Sequence, residues 1–512
     1  MASASARQLQ VVTLGGVGVI TLGALLWRAQ KSGEKRKVDD DPTDAEDFKS
    51  WGVELLTWIA DYRKRCRDLP VISRVKPNYL RDMLPESAPT KGEPWGRIMT
   101  DLETAIVPGL THWEASNKFF AYFKPHASYP AVLGELLCAG LNVMGFDWIA
   151  SPACTELEVV TLDWLAKFLN LPPKFHSCAP GPGGGVIQGS AGESATVVLL
   201  AALTRIQQRA AGKKPYREDM VVYCSSETHA IVQKSCMILG IGHLRSVQAK
   251  EEDAWALTAD AIEAAIEEDL KTGLVPIAIV GTSGTTSSCA FDPLDELAAV
   301  AAKYGLWTHV DAAYGGAYAC LEELKPKFKG LAMVDSFCVN CHKKLLCPFD
   351  IAALYVADRK PILDALSLQP EYLRNAASDS GAVVDYEHWQ MPLGRRFRAL
   401  KLWFVLRRFG TEGLRNHVQR GVDLANCFAG LVDAHPAFEI SCPVSLSLVC
   451  FRLKDRSEDD QVAFLNAVKA TGKCFIIHTK LGGKIAMRFA CGGVEQTESD
   501  VRRAFNVIAS CL

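Results

Sequence analysis

The chain has 512 residues, of which 49% are apolar and 22% charged, so it can bury a large core in two or three domains and is not a disordered protein. Its formal net charge of −2 and the lack of a long basic stripe exclude nucleic acid as an expected partner. The 17 cysteines are scattered through apolar runs, a pattern typical of buried free thiols in a reducing compartment rather than of a secreted disulfide framework.

Residues 11–27 form an uncharged, mostly apolar run, at the lower end of the roughly 17–25 residues that span a membrane. Arg7 precedes the run and five basic residues lie between positions 28 and 37. This asymmetry predicts an N-terminal anchor with the body of the protein on the cytoplasmic face of a membrane. A cleaved signal peptide is the alternative, although the bulky residues 26–28 offer no cleavage site, and organelle targeting of an otherwise cytoplasmic protein is a third.

The acidic stretch 39–47 reads as a linker, and the apolar residues after it recur at helical spacing from position 48 to 67. That amphipathic helix could belong to a core of its own or pack on a second copy of the chain. We expect four regions: an anchor or targeting segment with its linker (1–47), an N-terminal helical segment that could pack in a dimer (48–128), a large domain (129–400) and a small C-terminal α+β domain (401–512).

A glycine-rich turn at 181–185 leads through Gly189, Ser190, Ala191 and Gly192 into an apolar helix from about residue 195 to 203. Small residues at a helix N-terminus expose backbone N–H groups to an anion, and the helix dipole adds to the attraction. By itself the pattern equally fits an ordinary turn with a serine cap.

Strands are predicted at 220–224, 276–281 and 306–311, with helices between them at 259–270 and 294–304. Such alternation indicates an α/β domain with a mainly parallel sheet, whose ligands bind beyond the carboxyl ends of the strands. His229, residues 282–286, Asp311 and, after a further strand-like run, Lys343 therefore fall on one rim.

These residues together suit pyridoxal phosphate. Lys343 follows Asn340 and His342 in an apolar stretch, where loss of water lowers a lysine pKa and leaves an amine that can react with an aldehyde. Asp311 offers the carboxylate that keeps a pyridine nitrogen protonated. Residues 190–192 offer a phosphate cradle, and His229 could stack on the ring or steer the substrate carboxylate. Separately, Asp311 could be a turn acid and His229 a surface histidine.

From about residue 51 to 453 the chain resembles the group II pyridoxal-phosphate decarboxylases, especially the aromatic-L-amino-acid decarboxylases. The resemblance is carried by PGLTHW (108–113), SPACTELE (151–158), GGVIQGS (184–190), HVDAAY (309–314) and GRRFRALKLW (394–403). It implies a fold-type-I α/β homodimer with a mainly parallel, seven-stranded type of sheet, and conversion of an aromatic L-amino acid to its amine and CO2.

The resemblance also assigns roles. Lys343 looks like the lysine that binds the cofactor covalently, with Asp311 at the ring nitrogen and His229 stacked on the ring. The remaining cofactor contacts that it implies are Ser190, Ala191, Gly192, Thr286, Asn340 and His342. The substrate contacts that we expect are Tyr122, Phe123, Lys124, Phe146 and His229.

Tyr372 resembles the catalytic-loop tyrosine that protonates the substrate carbon after CO2 leaves. Related aldehyde synthases have phenylalanine there and react with oxygen instead, so a hydroxyl at this position favours decarboxylation. Aldehyde synthesis and decarboxylation of a non-aromatic amino acid remain the alternatives.

Three departures from the family pattern leave the substrate open. Lys344 stands where the family usually has tryptophan, and a side chain pointing inward would place a second cation beside Lys343. Lys124 and Pro125 replace a proline and a threonine near the substrate ring. Gly192 replaces a serine of the phosphate cradle.

Residues 338–342 read CVNCH, the spacing of covalent haem attachment, so an electron carrier is the rival from another class. A zinc site is not expected, because no second cysteine or histidine pair has ligand spacing. An inactive, membrane-anchored scaffold is a further alternative, against which the presence of Lys343, Asp311, His229 and Tyr372 argues.

Overall fold

The computed structural model describes residues 43–210, 212–368 and 383–512. The described chain forms two compact units, one made of residues up to Asp61 together with Lys76–Val107, the other of Tyr62–Val75 and Pro108–Leu512. The anchor prediction for residues 11–27 and the role of Tyr372 both fall outside the described residues. Within the described ranges, no helix is long and apolar enough to cross a membrane.

The first unit is helical. Its elements are α1 (Ala45–Arg65, whose last residues belong to the second unit), α2 (Tyr79–Met83) and α3 (Trp95–Asp101), followed by one π-helical turn at Leu102–Ile106. Trp51 of α1 stacks on Trp95 with ring centroids 5.1 Å apart. No residue of α1 is fully buried, and Trp51 and Leu56 remain 39% exposed, so its apolar stripe is only partly covered in the described chain.

The second unit contains a seven-stranded sheet. Its strands are β1 (Gly184–Gln188), β2 (Met220–Ser225), β3 (His243–Val247), β4 (Val275–Thr282), β5 (Trp307–Asp311), β6 (Ser336–Val339) and β7 (Ala352–Val356). Their spatial order is β1-β7-β6-β5-β4-β2-β3, and every neighbouring pair is parallel except the two that β7 makes. The predicted mainly parallel α/β sheet is confirmed, with one antiparallel strand inserted near its edge.

The helices of this unit are α4 (Tyr129–Leu141), α5 (Pro152–Phe168), α6 (Ala191–Arg209), α7 (Ile231–Leu239), α8 (Ala259–Lys271), α9 (Leu294–Tyr304), α10 (Cys341–Lys344), α11 (Lys360–Leu366) and α12 (Ala399–Asp433). Apolar residues cover both faces of the sheet. In β6, for example, Phe337 and Val339 join one core cluster and Cys338 the other, as the alternation of a strand requires.

The C-terminal part forms a four-stranded antiparallel sheet in the order β10-β11-β9-β8. Its elements are β8 (Phe438–Ile440), β9 (Leu448–Leu453), α13 (Glu458–Ala470), β10 (Ile477–Leu481), β11 (Lys484–Ala490) and α14 (Glu498–Ala509). Capping boxes at Ser457 and Thr497 begin its two helices.

All cysteines are free thiols, and all but Cys178, Cys427 and Cys511 are buried. These positions agree with the expectation of buried free thiols. Burial of small thiols in apolar clusters is the usual environment of a structural cysteine.

Candidate active site

The carboxyl ends of the parallel strands open into a cavity of about 480 Å³. All the side chains predicted to contact the cofactor line it: Ser190, Ala191, Gly192, His229, Thr286, Asp311, Asn340, His342 and Lys343. The cavity lies within the 300–1,000 Å³ range of small-molecule sites, and its place beyond the strand ends is the one expected for a sheet of this kind.

One wall is the N-terminus of α6, a helix of 19 residues. The hydroxyl of Ser190 caps the helix by accepting a hydrogen bond from Glu193 N at 3.2 Å. Glu193 in turn accepts from Gly189 N at 2.7 Å, which holds the turn before the helix. A Cβ at Gly192 would come no closer than 3.5 Å to another atom, an ordinary van der Waals contact, so a Cβ would fit here without strain. Free N–H groups at a long helix N-terminus suit a phosphate.

Lys343 lies in the short helix α10, directly after β6, and its side chain reaches the cavity. Burial lowers its pKa from the ordinary value, and the charge of Asp311 opposes the shift. A lysine with a lowered pKa supplies more neutral amine, which is the form that attacks an aldehyde.

Asp311 is the last residue of β5 and is 4% exposed. Its Oδ1 accepts a hydrogen bond from Ala313 N at 3.0 Å, and Cys338 Sγ lies 3.9 Å from the same oxygen. The other carboxylate oxygen has no described hydrogen bond within the chain, so it is available to a protonated ring nitrogen.

His229 projects into the cavity, where burial lowers its pKa and Asp311 opposes the shift. Its Nδ1 accepts a hydrogen bond from Ile231 N at 3.2 Å, which places the proton of the neutral ring on Nε2. The backbone N–H of Ile231 thus fixes the imidazole of His229, and the Nε2–H donor lies on the opposite side of the ring.

The two residues between β6 and Lys343 behave differently. Asn340 is buried, and its Oδ1 is without a hydrogen-bond partner among the described residues. A buried amide with one unpaired end is costly unless a ligand completes it. His342 is already held by Ile351, whose N–H donates to Nδ1 at 3.2 Å, and burial lowers its pKa to about 4. Asn340 is therefore a candidate ligand contact and His342 a neutral wall.

These groups fit pyridoxal phosphate. A helix N-terminus and an unpaired amide face a cavity that also contains a weakly basic lysine and a buried carboxylate. Within the described ranges, no cluster of three or more histidine, cysteine or acidic side chains is placed to hold a metal ion.

A second, smaller cavity shares Tyr314 and Lys343 with the first. Three predicted substrate contacts line it: Tyr122, Phe123 and Lys124. The ring of Phe123 stacks on Tyr314 with centroids 3.5 Å apart and planes within 7°. Lys124 is 6% exposed and donates to Trp113 O at 2.5 Å, and burial lowers its pKa.

Phe146 is the predicted contact that the fold does not bring to either cavity. It is half-buried, and its carbonyl accepts the N–H of Glu387 at 2.9 Å. Its contact with substrate stays a prediction.

Several lining residues escaped the sequence analysis. Tyr314 could have been found, since it follows Asp311 by three residues in the HVDAAY motif. Phe349 and Met391 lie in segments without a pattern, and Cys491 and Gly493 come from a C-terminal region where no chemistry was expected.

Lys344 does not point toward the amine of Lys343, contrary to the arrangement considered from the sequence. Its ammonium lies between Gly421 and Gly492, where a Cβ on either glycine would collide with it. It donates to Cys491 O at 3.4 Å, 5.7 Å from the Tyr318 ring centroid, and burial lowers its pKa to about 7. Successive side chains of one helical turn diverge, which is the reason for its separation from Lys343.

The haem alternative is excluded by burial. Cys338 lies within β6 and Cys341 within α10, and both are 0% exposed. Two thiols enclosed in apolar clusters cannot both be joined to the edge of one porphyrin.

Comparison with known proteins agrees with this geometry. Residues 77–454 match the model of the pyridoxal-dependent decarboxylase conserved domain. The chain is 44% identical to tyrosine decarboxylase 2 of Narcissus pseudonarcissus over 474 residues, covering 91% of this chain and 94% of the relative. It is 43% identical to phenylacetaldehyde synthase of Arabidopsis thaliana over 475 residues, covering 91% and 96%.

Among solved structures, Oryza sativa TDC with PLP and tryptamine superposes with a TM-score of 0.90 at 38% identity, covering 92% of this chain and 99% of that one. The predicted fold and cofactor are thereby confirmed. The chain belongs to the pyridoxal-dependent decarboxylase family.

Proposed function

We propose that the protein decarboxylates an aromatic L-amino acid to the corresponding amine and CO2. The observation that carries the proposal is the convergence of the Lys343 amine, the Asp311 carboxylate and the α6 N-terminus on one cavity. When bound, pyridoxal phosphate supplies an electron-accepting ring that takes up the electron pair of the breaking Cα–carboxylate bond.

The chain's own residues then have distinct tasks. Lys343 would hold the cofactor through its amine, and the lowered pKa of this lysine favours the neutral form that can bond to an aldehyde. Asp311 keeps the ring nitrogen protonated. The N–H groups of residues 190–192 and the side-chain NH2 of Asn340 would hold the phosphate by donating hydrogen bonds to it, and Thr286 would contact the cofactor. His229 orients the substrate carboxylate through its Nε2–H.

Proton delivery to Cα distinguishes decarboxylation from aldehyde synthesis. We assign the proton donor to Tyr372, directly or through His229, because the family resemblance places a tyrosine here in decarboxylases and a phenylalanine in aldehyde synthases. Relatives of both kinds are almost equally identical to this chain, so overall identity does not separate the two reactions.

The Tyr372→Phe variant tests this assignment. Without the hydroxyl, the product should shift from amine toward aldehyde, with oxygen consumed and peroxide formed. Tyr216→Phe, which alters an exposed tyrosine, is the matched control and should still yield amine. Unaltered amine formation by Tyr372→Phe would remove the residue from the mechanism.

The aromatic class of the substrate is supported by the stacked Phe123 and Tyr314 rings beside Lys343 and by relatives named tyrosine decarboxylase and tryptophan decarboxylase. A panel of L-amino acids, assayed for amine by mass spectrometry, tests it. Turnover of non-aromatic acids alone would instead identify Lys124 and Pro125 as a change of substrate class.

We propose that the protein is a homodimer. Helix α4 buries one face, including Ala131, Gly134 and Cys138, and leaves an apolar row open to solvent on the other: Leu133, Leu136, Leu137 and Leu141 are 40–49% exposed. Such a row marks an interaction surface.

Two residues that line the first cavity are also exposed in the described single chain, Phe349 by 64% and Met391 by 51%. Light scattering should give twice the 55.9 kDa chain mass, and Leu133→Glu should reduce it to the monomer mass. A monomeric wild-type protein would contradict the proposal.

We further propose that residues 11–27 anchor the protein with its body on the cytoplasmic face, and that the body is divided at about residues 128 and 400. Carbonate-resistant membrane association of the full chain, absent from a chain beginning at residue 43, would support the anchor. Equal solubility of the two would refute it. Limited proteolysis within the two boundaries tests the division.

A further inference from the structure

A group of five basic side chains, four of them buried, lies next to the second cavity. Lys124 and His126 come from the loop before α4, Lys344 from α10, and His417 and Arg420 from α12. Four of them are less than 9% exposed, whereas Arg420 is exposed and caps the group at the surface. So dense a set of basic groups is costly to bury without a role.

The charges that surround the two histidines are all of one sign. Burial lowers the pKa of His126 far below its ordinary value, and Lys344, His417, Lys124 and Arg420 add to the shift. His417 is affected in the same way by burial, Lys344 and Arg420. Among the described residues, the carboxylates that affect this group are Glu114 and Glu495, and both act on Lys124. Both imidazoles are therefore neutral at physiological pH.

Three of these side chains form a directional chain of hydrogen bonds. Arg420 Nη2 lies 3.1 Å from His417 Nδ1, and His417 Nε2 lies 3.4 Å from His126 Nδ1. A guanidinium can only donate, so His417 Nδ1 accepts and its proton is on Nε2. His417 then donates to His126 Nδ1, which leaves the proton of His126 on Nε2.

The free end of this chain belongs to the second cavity, which His126 lines. None of the hydrogen bonds in the described structure uses His126 Nε2. The backbone fixes the residue, because His126 N donates to His342 O and Ser128 N to Leu346 O at 2.9 and 3.0 Å. His126, whose Nε2–H is not used by a described hydrogen bond, and Lys124, whose Nζ donates to Trp113 O, both line this cavity.

The size of the second cavity limits what can bind there. Its volume is about 10 Å³, close to the space that one water oxygen needs. The stacked rings of Phe123 and Tyr314 form its apolar wall, and Lys343 lies at its border with the cofactor cavity. A ligand whose aromatic ring carries one small hydrogen-bond acceptor matches this combination of basic and apolar groups.

We propose that the second cavity binds the ring oxygen of the substrate, so that the protein selects phenolic and catecholic amino acids over phenylalanine. Lys124 and His126 contact that oxygen. His417 and Arg420 are positioning residues, which hold His126 in the tautomer that donates. The inference rests on the proposed decarboxylation and specifies its substrate.

The test compares kcat/KM for L-tyrosine and L-phenylalanine in holoenzyme variants. We expect wild type to favour tyrosine at least about tenfold, the order of one hydrogen bond to a charged group, and His417→Leu to reduce that ratio about tenfold. His417→Gln should restore most of the ratio, because its amide can accept from Arg420 and donate to His126. His478→Leu, which removes an exposed histidine from β10, should keep the wild-type ratio.

Calorimetry provides a second readout that needs no turnover. Holoenzyme should bind 3-(4-hydroxyphenyl)propanoate more tightly than 3-phenylpropanoate, and His417→Leu should abolish the difference. If His417→Leu does not fold, Arg420→Leu takes its place. The comparison of the two acids in wild type still shows whether the hydroxyl group is recognised.

The outcomes separate the two proposals. Equal kcat/KM for the two amino acids in wild type, or an equal fall for both in His417→Leu, would overturn the inference and leave decarboxylation intact. No turnover of any aromatic amino acid would overturn the proposed function. The calorimetric comparison would then test by itself whether the second cavity binds a ring oxygen. Tighter binding of the hydroxylated acid would support this, and equal binding would refute it.

Discussion

Replacing Lys344 by methionine should change how the stability of the protein depends on pH. Lys344 is 0% exposed and makes one long hydrogen bond, at 3.4 Å to Cys491 O. Burial lowers its pKa to about 7, with smaller contributions from Arg420 and Lys124. In the unfolded chain the same amine has a pKa of about 10.4.

The sign follows from proton binding. Between pH 7 and pH 10 the unfolded chain binds a proton that the folded protein lacks, so the free energy of unfolding rises with pH. At about 1.4 kcal/mol per pH unit, and with half of the amine already neutral at pH 7, the rise from pH 7 to pH 9 is about 2 kcal/mol. Well below pH 7 both states are protonated and this slope vanishes.

Urea unfolding of the holoenzyme at pH 7 and pH 9 measures the difference. The rise in wild type should exceed that in Lys344→Met by about 2 kcal/mol, since methionine has similar length and no proton to release. Protein concentration must be held constant, because the stability of an oligomer depends on it.

Lys401→Met is the matched control. It removes another buried lysine, which is paired with Glu135 at 2.9 Å, and should keep the wild-type rise because Lys344 remains. The same pH dependence in wild type and Lys344→Met would refute the reasoning.

Three further predictions concern the site and the core. Lys343→Ala should lose turnover. Borohydride reduction should attach the mass of the cofactor to the peptide that contains Lys343 in wild type and in Lys344→Met. Attachment to another lysine would contradict the assignment. Asp311→Asn should lower kcat by about 10²–10³-fold, the order of magnitude for the loss of one preorganised electrostatic partner. An unchanged kcat would exclude Asp311 as the partner of the ring nitrogen. Glu158→Gln breaks a fully buried ion pair with Arg395 and should cost about 3–5 kcal/mol in urea unfolding; a cost under about 1 kcal/mol would show that the pair is replaceable.

Local pattern was sufficient for much of the fold. The runs predicted as strands at 220–224, 276–281 and 306–311 are β2, β4 and β5 to within a residue, because buried strands between turn residues are distinctive. Asp311 and Lys343 could be placed on one rim since the carboxyl ends of parallel strands meet there. The antiparallel insertion of β7 has no local signal, because pairing partners are chosen by the whole sheet.

At the site, the sequence did not predict the direction of a side chain or a contact between residues that are distant in sequence. The side chain of Lys344 diverges from that of Lys343 toward Gly421 and Gly492, which are far away in sequence. The contact between His126 and His417 joins positions 291 residues apart. Such contacts depend on tertiary packing, which the periodicity of a local sequence pattern does not reveal.

The most direct test of the central claim is product analysis of the purified holoenzyme with L-tyrosine, by mass spectrometry together with trapped CO2. Tyramine and CO2 in equal amounts, without oxygen consumption, is the predicted result. Aldehyde with peroxide, or no product from tyrosine or any other aromatic L-amino acid, would contradict the account.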